Sequence, residues 1–285
     1  AAANNNKNHL NTGTTVTVGT QNNYSVDFGF HAPLVQFGDR VWIESDRDGL
    51  ATTGTLTPIA GMVISATDGT KVYTATTTAQ GYYSFTVPAG TYTVTYGSVP
   101  SGYGVTVPSA TPGGSSETGN AGVYAESGNP DQSHVNGATV TLTDGQANWH
   151  VDFAFYNLVQ IGNRLWIESD SDGDATTGNV TPVVSQVVTA TSSSGMVYTA
   201  TTDVNGLYTI TVPANTVYTV TTGTPVGTVP STVITTTATD ANAAANDNKN
   251  HLNTGTTVTV ETQNNYSIDF GFNTPVPPTA TPTPT

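Results

Sequence analysis

Glu44, Asp46 and Asp48 place carboxylates at alternate positions of a short stretch that closes on Gly49. The arrangement returns 124 residues later as Glu168, Asp170, Asp172 and Gly173. Calcium takes about six to eight hard oxygen ligands, and side chains at positions 1, 3 and 5 of a tight loop can converge on one such ion. A following glycine permits the sharp turn, and a carbonyl at position 7 can add a ligand. That position is Leu50 in the first copy and Asp174 in the second. A solvated acidic turn is the plain alternative. Crowded like charges are costly without a cation, however, and here the crowding occurs twice at equivalent places. The spacing favours two calcium loops. Glu44, Asp46, Asp48 and the Leu50 carbonyl serve one; Glu168, Asp170, Asp172 and Asp174 serve the other.

Each loop follows directly on a repeated strand. Val35-Gln36-Phe37-Gly38-Asp39-Arg40-Val41-Trp42-Ile43-Glu44 returns as Val159-Gln160-Ile161-Gly162-Asn163-Arg164-Leu165-Trp166-Ile167-Glu168. A second phrase, Gln80-Gly81-Tyr82-Tyr83-Ser84-Phe85-Thr86-Val87-Pro88, is matched by Asn205-Gly206-Leu207-Tyr208-Thr209-Ile210-Thr211-Val212-Pro213. A third occurs three times: Asn8 to Phe30 is nearly unchanged at Asn250 to Phe272, and a diverged copy runs from Ser133 to Phe155. Repeats of this kind mark tandem structural units. Alternation at Tyr83, Phe85 and Val87, and at Tyr92, Val94 and Tyr96, has the strand period. Gly, Pro, Asn and Asp punctuate the Thr- and Val-rich runs. The expected fold is all-β: tandem antiparallel Greek-key β-sandwiches. Residues 1–32 read as terminal strands of a preceding or neighbouring domain, 33–157 and 158–274 as two full repeats, and 275–285 as a Pro/Thr-rich spacer. The connection across Phe155–Ile161 lacks Gly and Pro, so a stiff array is expected.

Asp plus Glu (20) outnumber Lys plus Arg (6), and the formal charge of −14 argues against nucleic acid and anionic membrane as partners. There is no cysteine, which removes disulfides, thiolate metal sites and cysteine nucleophiles. No apolar run is long enough to span a membrane. The Thr, Asn, Gly and Val richness and the Pro-Thr tail suggest an extracellular bacterial protein.

A second oxygen-rich segment precedes each copy of the third phrase. Asn129 and Asp131 lie in one, Asn246, Asp247 and Asn248 in another, and Asn4 to Asn8 in the first. Alternating oxygens suit a further calcium loop, whereas an Asx-rich turn needs no ion. His9, His134 and His251 are equivalent, and one histidine per unit favours a packed or capping role over zinc. Asp27, Asp152 and Asp269, inside the last strand, either cap a bulge or reach a metal.

The chain resembles the B-type repeats of Gram-positive serine-aspartate surface proteins, the SdrD B-like domains. Gly38-Asp39-Arg40-Val41-Trp42, the alternating acids, the Thr-Thr-x-x-x-Gly-x-Tyr segment and the terminal Val-Asp-Phe-Gly-Phe strand carry the resemblance over residues 33–274. It implies a prealbumin-like or collagen-adhesin-B-like sandwich, stabilised by calcium and arranged as a surface stalk. The family's loop usually has a later acidic ligand, where this chain has Thr55 and Asn179. Related sandwiches carry Lys–Asn isopeptide crosslinks; the first strands here offer Arg40 and Arg164, which cannot form one, so none is expected.

No nucleophile–base pair, phosphate loop or paired cleft carboxylates point to an enzyme. The leading expectation is a calcium-stabilised structural stalk or filament whose partners are copies of itself. A covalent array and strand donation by residues 1–30 are the two routes to a fibre. The alternatives are an adhesin for a host or matrix ligand and a carbohydrate-binding appendage of a secreted enzyme. The latter would show a row of exposed aromatics, whereas Trp42 and Trp166 sit in the repeated strand and are expected in the core.

Overall fold

The computed structural model describes residues 10, 12–20, 24, 26–30, 33–51, 53–106, 133–234, 237–238 and 248–275. Every regular element among them is a strand. In the first half these are β1 (Leu34–Glu44), β2 (Leu56–Pro58), β3 (Val63–Thr67), β4 (Val72–Thr76), β5 (Tyr82–Pro88), β6 (Gly90–Tyr96), β7 (Tyr103–Val105), β8 (Ala138–Leu142), β9 (Ala147–Asn148) and β10 (Phe153–Ile161). The second half adds β11 (Leu165–Glu168), β12 (Val180–Pro182), β13 (Val187–Ser192), β14 (Val197–Thr201), β15 (Ile210–Pro213), β16 (Thr216–Thr222), β17 (Val229–Pro230), β18 (Thr237–Ala238), β19 (Thr256–Val260) and β20 (Phe270–Asn273).

Two sandwiches result. In the first, the sheet β4-β3-β6-β8 faces one built around β1, which pairs β5 and β9 along its first part and β2 and β10 along its second. In the second, β14-β13-β16-β19-β18 faces β12-β11-β20-β17. The alternation in sequence becomes the inside and outside of each sheet. Tyr83, Phe85 and Val87 point inward from β5 and Tyr92, Val94 and Tyr96 from β6, while Ser84 and Thr86 face water. They join Phe37, Val41, Ile64, Val140, Phe153 and Phe155 in one core. Val188, Ala190, Tyr208, Ile210, Tyr218, Val220, Val258, Val260, Phe270 and Phe272 form part of the other. Trp42 and Trp166 are fully buried.

Three features differ from expectation. The sheets are not wholly antiparallel: β1 runs parallel to β10, and β11 to β20. The first and last strands of each sandwich lie side by side in the same direction. The connection at Phe155–Ile161 is no loop but part of the single strand β10. Its Phe153–Tyr156 part pairs with β1, and its Leu158–Ile161 part pairs with β15 of the second sandwich. Finally, residues 12–18 carry no strand, although their sequence is that of β19 and its approach. β19 is a strand because β16 lies beside it; among the described residues no strand lies beside 12–18.

Candidate metal centre

Both acidic loops begin where a buried strand ends. Glu44 is the last residue of β1 and Glu168 the last of β11, and alternation turns both side chains inward, with 1% and 2% exposure. An ionised carboxylate placed there needs partners. Glu44 accepts from the Gly49 N–H and from Thr106 Oγ1. Glu168 accepts from the Gly173 N–H at 2.8 Å and from Trp166 Nε1 at 2.9 Å. Burial still pushes the Glu44 carboxyl above its usual value, against the lowering effect of the bonds from Thr106 and Gly49, and the nearby Asp46 charge adds to the rise.

The other acids converge on these two. Ligand oxygens of Glu44, Asp46 and Asp48 all lie within 4.8 Å of one another, and so do those of Glu168, Asp170 and Asp172. Asp48 is fixed by Leu50 N–H on one oxygen and Thr53 Oγ1 on the other, at 2.8 and 2.6 Å. Asp172 is held the same way by Asp174 N–H and Thr177 Oγ1, at 2.9 and 2.8 Å. The returning chain closes over the loop: Thr55 N–H donates to Ser45 Oγ and Asn179 N–H to Ser169 Oγ. Gly54 and Gly178 make that approach possible. Both have positive φ (64° and 59°), and a Cβ on either would lie 2.6 Å and 2.5 Å from the nearest atom of the Asp46 and Asp170 carboxyls. These paired loops of hard oxygens, one buried and two exposed, have the donor set and the crowding of negative charge that fit a divalent cation.

The position-7 residues are placed differently. Asp174 turns its carboxylate into its own turn, accepting from Thr176 N–H and Oγ1, which holds it below the usual carboxylate range. The Asp174 carbonyl accepts from Thr177, and the Leu50 carbonyl from Thr53 at 3.4 Å. Of the second oxygen-rich segment, Asn129, Asp131, Asn246 and Asp247 lie outside the described residues. Asn248 takes a left-handed backbone (φ 57°) and its Oδ1 faces Arg164 at 3.4 Å. The end of that segment docks on the acidic loop: Ser133 N–H donates to the Gly49 carbonyl and Asn250 N–H to the Gly173 carbonyl, both at 2.8 Å. Asp152 and Asp269 each accept a backbone N–H from the neighbouring segment, from Arg40 and Arg164 at 2.8 Å. His134 and His251 are buried beside them, Nδ1 of each lying 3.4 Å from the aspartate N–H.

Sequence reasoning missed Thr53, Gly54, Thr177 and Gly178. The signal was present: Ala51-Thr52-Thr53-Gly54 is repeated letter for letter at Ala175-Thr176-Thr177-Gly178.

Known proteins align with this architecture. Residues 35–155 and 159–272 each match the family described as the SdrD B-like domain. The chain is 32% identical over 168 residues to serine-aspartate repeat-containing protein F of Staphylococcus epidermidis, covering 57% of the chain and 9% of that protein. It is 30% identical over 164 residues to serine-aspartate repeat-containing protein D of Staphylococcus aureus, covering 55% of the chain and 11% of that protein. The match thus spans about a tenth of the length of these relatives. Among solved structures, GBS52, the minor pilin of Streptococcus agalactiae, aligns at 13% identity over 89% of this chain and 100% of its own, with a TM-score of 0.32. The shaft pilin SpaA of Lactobacillus rhamnosus GG aligns at 12% identity over 86% and 99%, with a TM-score of 0.29.

Proposed function

The chain belongs to the SdrD B-like domain family, and from that premise we propose that it is an extracellular structural module, a calcium-stabilised segment of a bacterial surface stalk or filament. One observation carries the reading: the same three-carboxylate loop is built twice, at the end of the same strand, on two sandwiches joined through a single continuous strand. A stalk needs units that resist bending and unfolding. β10 supplies the mechanical continuity, and an ion bound only by the folded loop adds stability by mass action. The work is non-catalytic. No helix among the described residues is long and apolar enough to cross a membrane.

The partners in this reading are further copies of the same fold. Residues 1–30 and 243–272 are the same sequence at 27 of 30 positions. In the later copy Val258, Val260, Phe270 and Phe272 are buried; in the earlier one Val16, Val18, Phe28 and Phe30 are exposed. The chain therefore carries a second closing segment of the type that completes its second sandwich. That segment closes a further unit, either covalently in an array or by donation to a neighbouring subunit.

Calorimetry tests the calcium part. Chelation should lower both domain transitions, and D46N/D48N should abolish the effect for the first domain while leaving the second. Melting profiles identical with calcium and chelator would overturn it.

A further inference from the structure

The first acidic loop reaches outside its own sandwich. Arg47 stands between Asp46 and Asp48 with a left-handed backbone (φ 62°). Its guanidinium donates to Thr216 Oγ1 at 3.2 Å, on β16 of the second sandwich. The same group lies 5.7 Å from the centroid of the Tyr156 ring, within cation–π range. Tyr156 stands opposite Glu44 in the β1–β10 register, at the point where β10 passes from one sandwich to the other.

The contact is a built cluster. Gly104 leaves room for the Tyr156 ring; a Cβ there would sit 2.4 Å from the ring Cζ. From the second sandwich, Tyr198 meets Tyr218 edge-on with centroids 5.9 Å apart. Burial raises the Tyr156 phenol, with the nearby Tyr198 adding to the rise, while the Arg47 charge is close enough to act against it on both Tyr156 and Tyr218. One guanidinium, three tyrosines and a threonine thus come together from both domains.

The second loop shows the alternative. Ser171 occupies the place of Arg47 with the same backbone (φ 64°), and Asn273 stands opposite Glu168 as Tyr156 does opposite Glu44. Asn273 Nδ2 donates to Ser171 Oγ, and the Ser171 carbonyl accepts from Thr232 Oγ1 at 2.8 Å. All these contacts stay within one sandwich.

We propose that Arg47 and Tyr156 form a latch that sets the angle between the two domains, and that Ser171–Asn273 is the unlatched form of the same loop. A shared strand prevents the domains from separating but leaves bending and twisting about it. Domains joined by small polar contacts move relative to one another unless something holds them. The latch supplies that hold through the loop that carries the candidate ligands, so loop and joint are one device. It deepens the stalk reading but stands on contacts independent of calcium.

The absence of cysteine makes the test clean. Spin labels on Gln80→Cys and Asn205→Cys, both exposed positions in different domains, report the inter-domain distance distribution by pulsed electron resonance. The R47S/Y156N variant, which copies the second loop, should widen the distribution well beyond the parent's, as expected for a freed pair of domains. T216V, which removes the cross-domain acceptor along with that hydroxyl's local bond to the Ala214 carbonyl, should widen it less while both domains keep their melting transitions. Unchanged width in both variants overturns the latch. Widening by the variants, with parent melting profiles that ignore chelator, upholds the latch and sinks the calcium reading instead.

Discussion

The indole Nε1 of Trp166 donates to Oε2 of Glu168 at 2.9 Å, two residues further along β11. Residues two apart on a strand share a face, and here that face is the interior: Trp166 is fully buried and Glu168 is 2% exposed. The strand that supplies core packing therefore also aims the first carboxylate of the loop. The Gly173 N–H takes its other oxygen, so Glu168 is oriented from both sides before any ion arrives.

Trp166→Phe should keep the packing and lose this orienting bond. Hydrogen bonds to charged groups contribute roughly 1.5–3 kcal/mol, so calcium affinity of the second loop should fall about tenfold or more. Titration calorimetry on the D46N/D48N background isolates that loop. Affinity equal to the parent's would show that the indole does not position the carboxylate.

Gly54→Ala should disable the first loop. The new Cβ meets the Asp46 carboxyl at 2.6 Å, on a backbone with φ of 64°. The strain costs on the order of 1–3 kcal/mol, and relieving it displaces a candidate ligand. Gly178→Ala should do the same to the second loop through Asp170. Two binding events in calorimetry of either variant would remove these glycines from the account.

The Glu44 carboxyl predicts an acid response. Burial raises it in the folded state above the ordinary glutamate value of about 4.5. Ionising it therefore costs the fold: its contribution to stability is full below about 4.5 and is lost as pH rises through the raised value. In chelator, acidification through that window should stabilise the first domain relative to E44Q. In calcium the same protons compete with the ion, so the gain from calcium should shrink over the same range. Parallel melting-temperature curves for the parent and E44Q in chelator would refute this.

Much of the fold was legible because its signals are local. Tyr83, Phe85 and Val87 alternate with Ser84 and Thr86 whatever lies opposite them, and the burial of Trp42 and Trp166 follows from the repeated strand. The convergence of Glu44, Asp46 and Asp48 was legible because odd positions of a tight turn share a side. The parallel pairing of β1 with β10 was not, because nothing in Phe153–Tyr156 specifies direction; the closed sandwich decides it. The unbroken run of β10 was hidden for a related reason. Phe155–Ile161 reads as a short connection between domains, and only its partners on both sides make it one strand. Asp174 entered the ligand set by its position 7 alone; that its carboxylate turns to Thr176 was not legible, because the donors come from the turn itself. Arg47 had no signal of its own in the sequence, because its partner Thr216 lies 169 residues away on β16.

Residues 1–30 lead to the last expectation. Where the two copies can be compared among described residues, they differ at Gly19 for Glu261, which is exposed, and at Val26 for Ile268, which is buried. An Ile-to-Val change in a core costs about 0.5–1.5 kcal/mol, so the place filled by residues 248–272 should accept the matching part of 1–30 almost as well. Seating Val16, Val18, Phe28 and Phe30 there gains roughly 1.5–3 kcal/mol per large side chain. A chain ending at residue 242 lacks its own closing segment, and a synthetic peptide of residues 1–30 should restore the folded second domain, read by the cooperative melt and by burial of Trp166. In the intact chain, such seating between copies is head to tail and does not close, so it propagates a fibre. Electron microscopy of the intact chain and of one lacking residues 1–30 then separates the two routes. Fibres only from the intact chain support donation. Fibres undiminished by the deletion exclude donation by this segment.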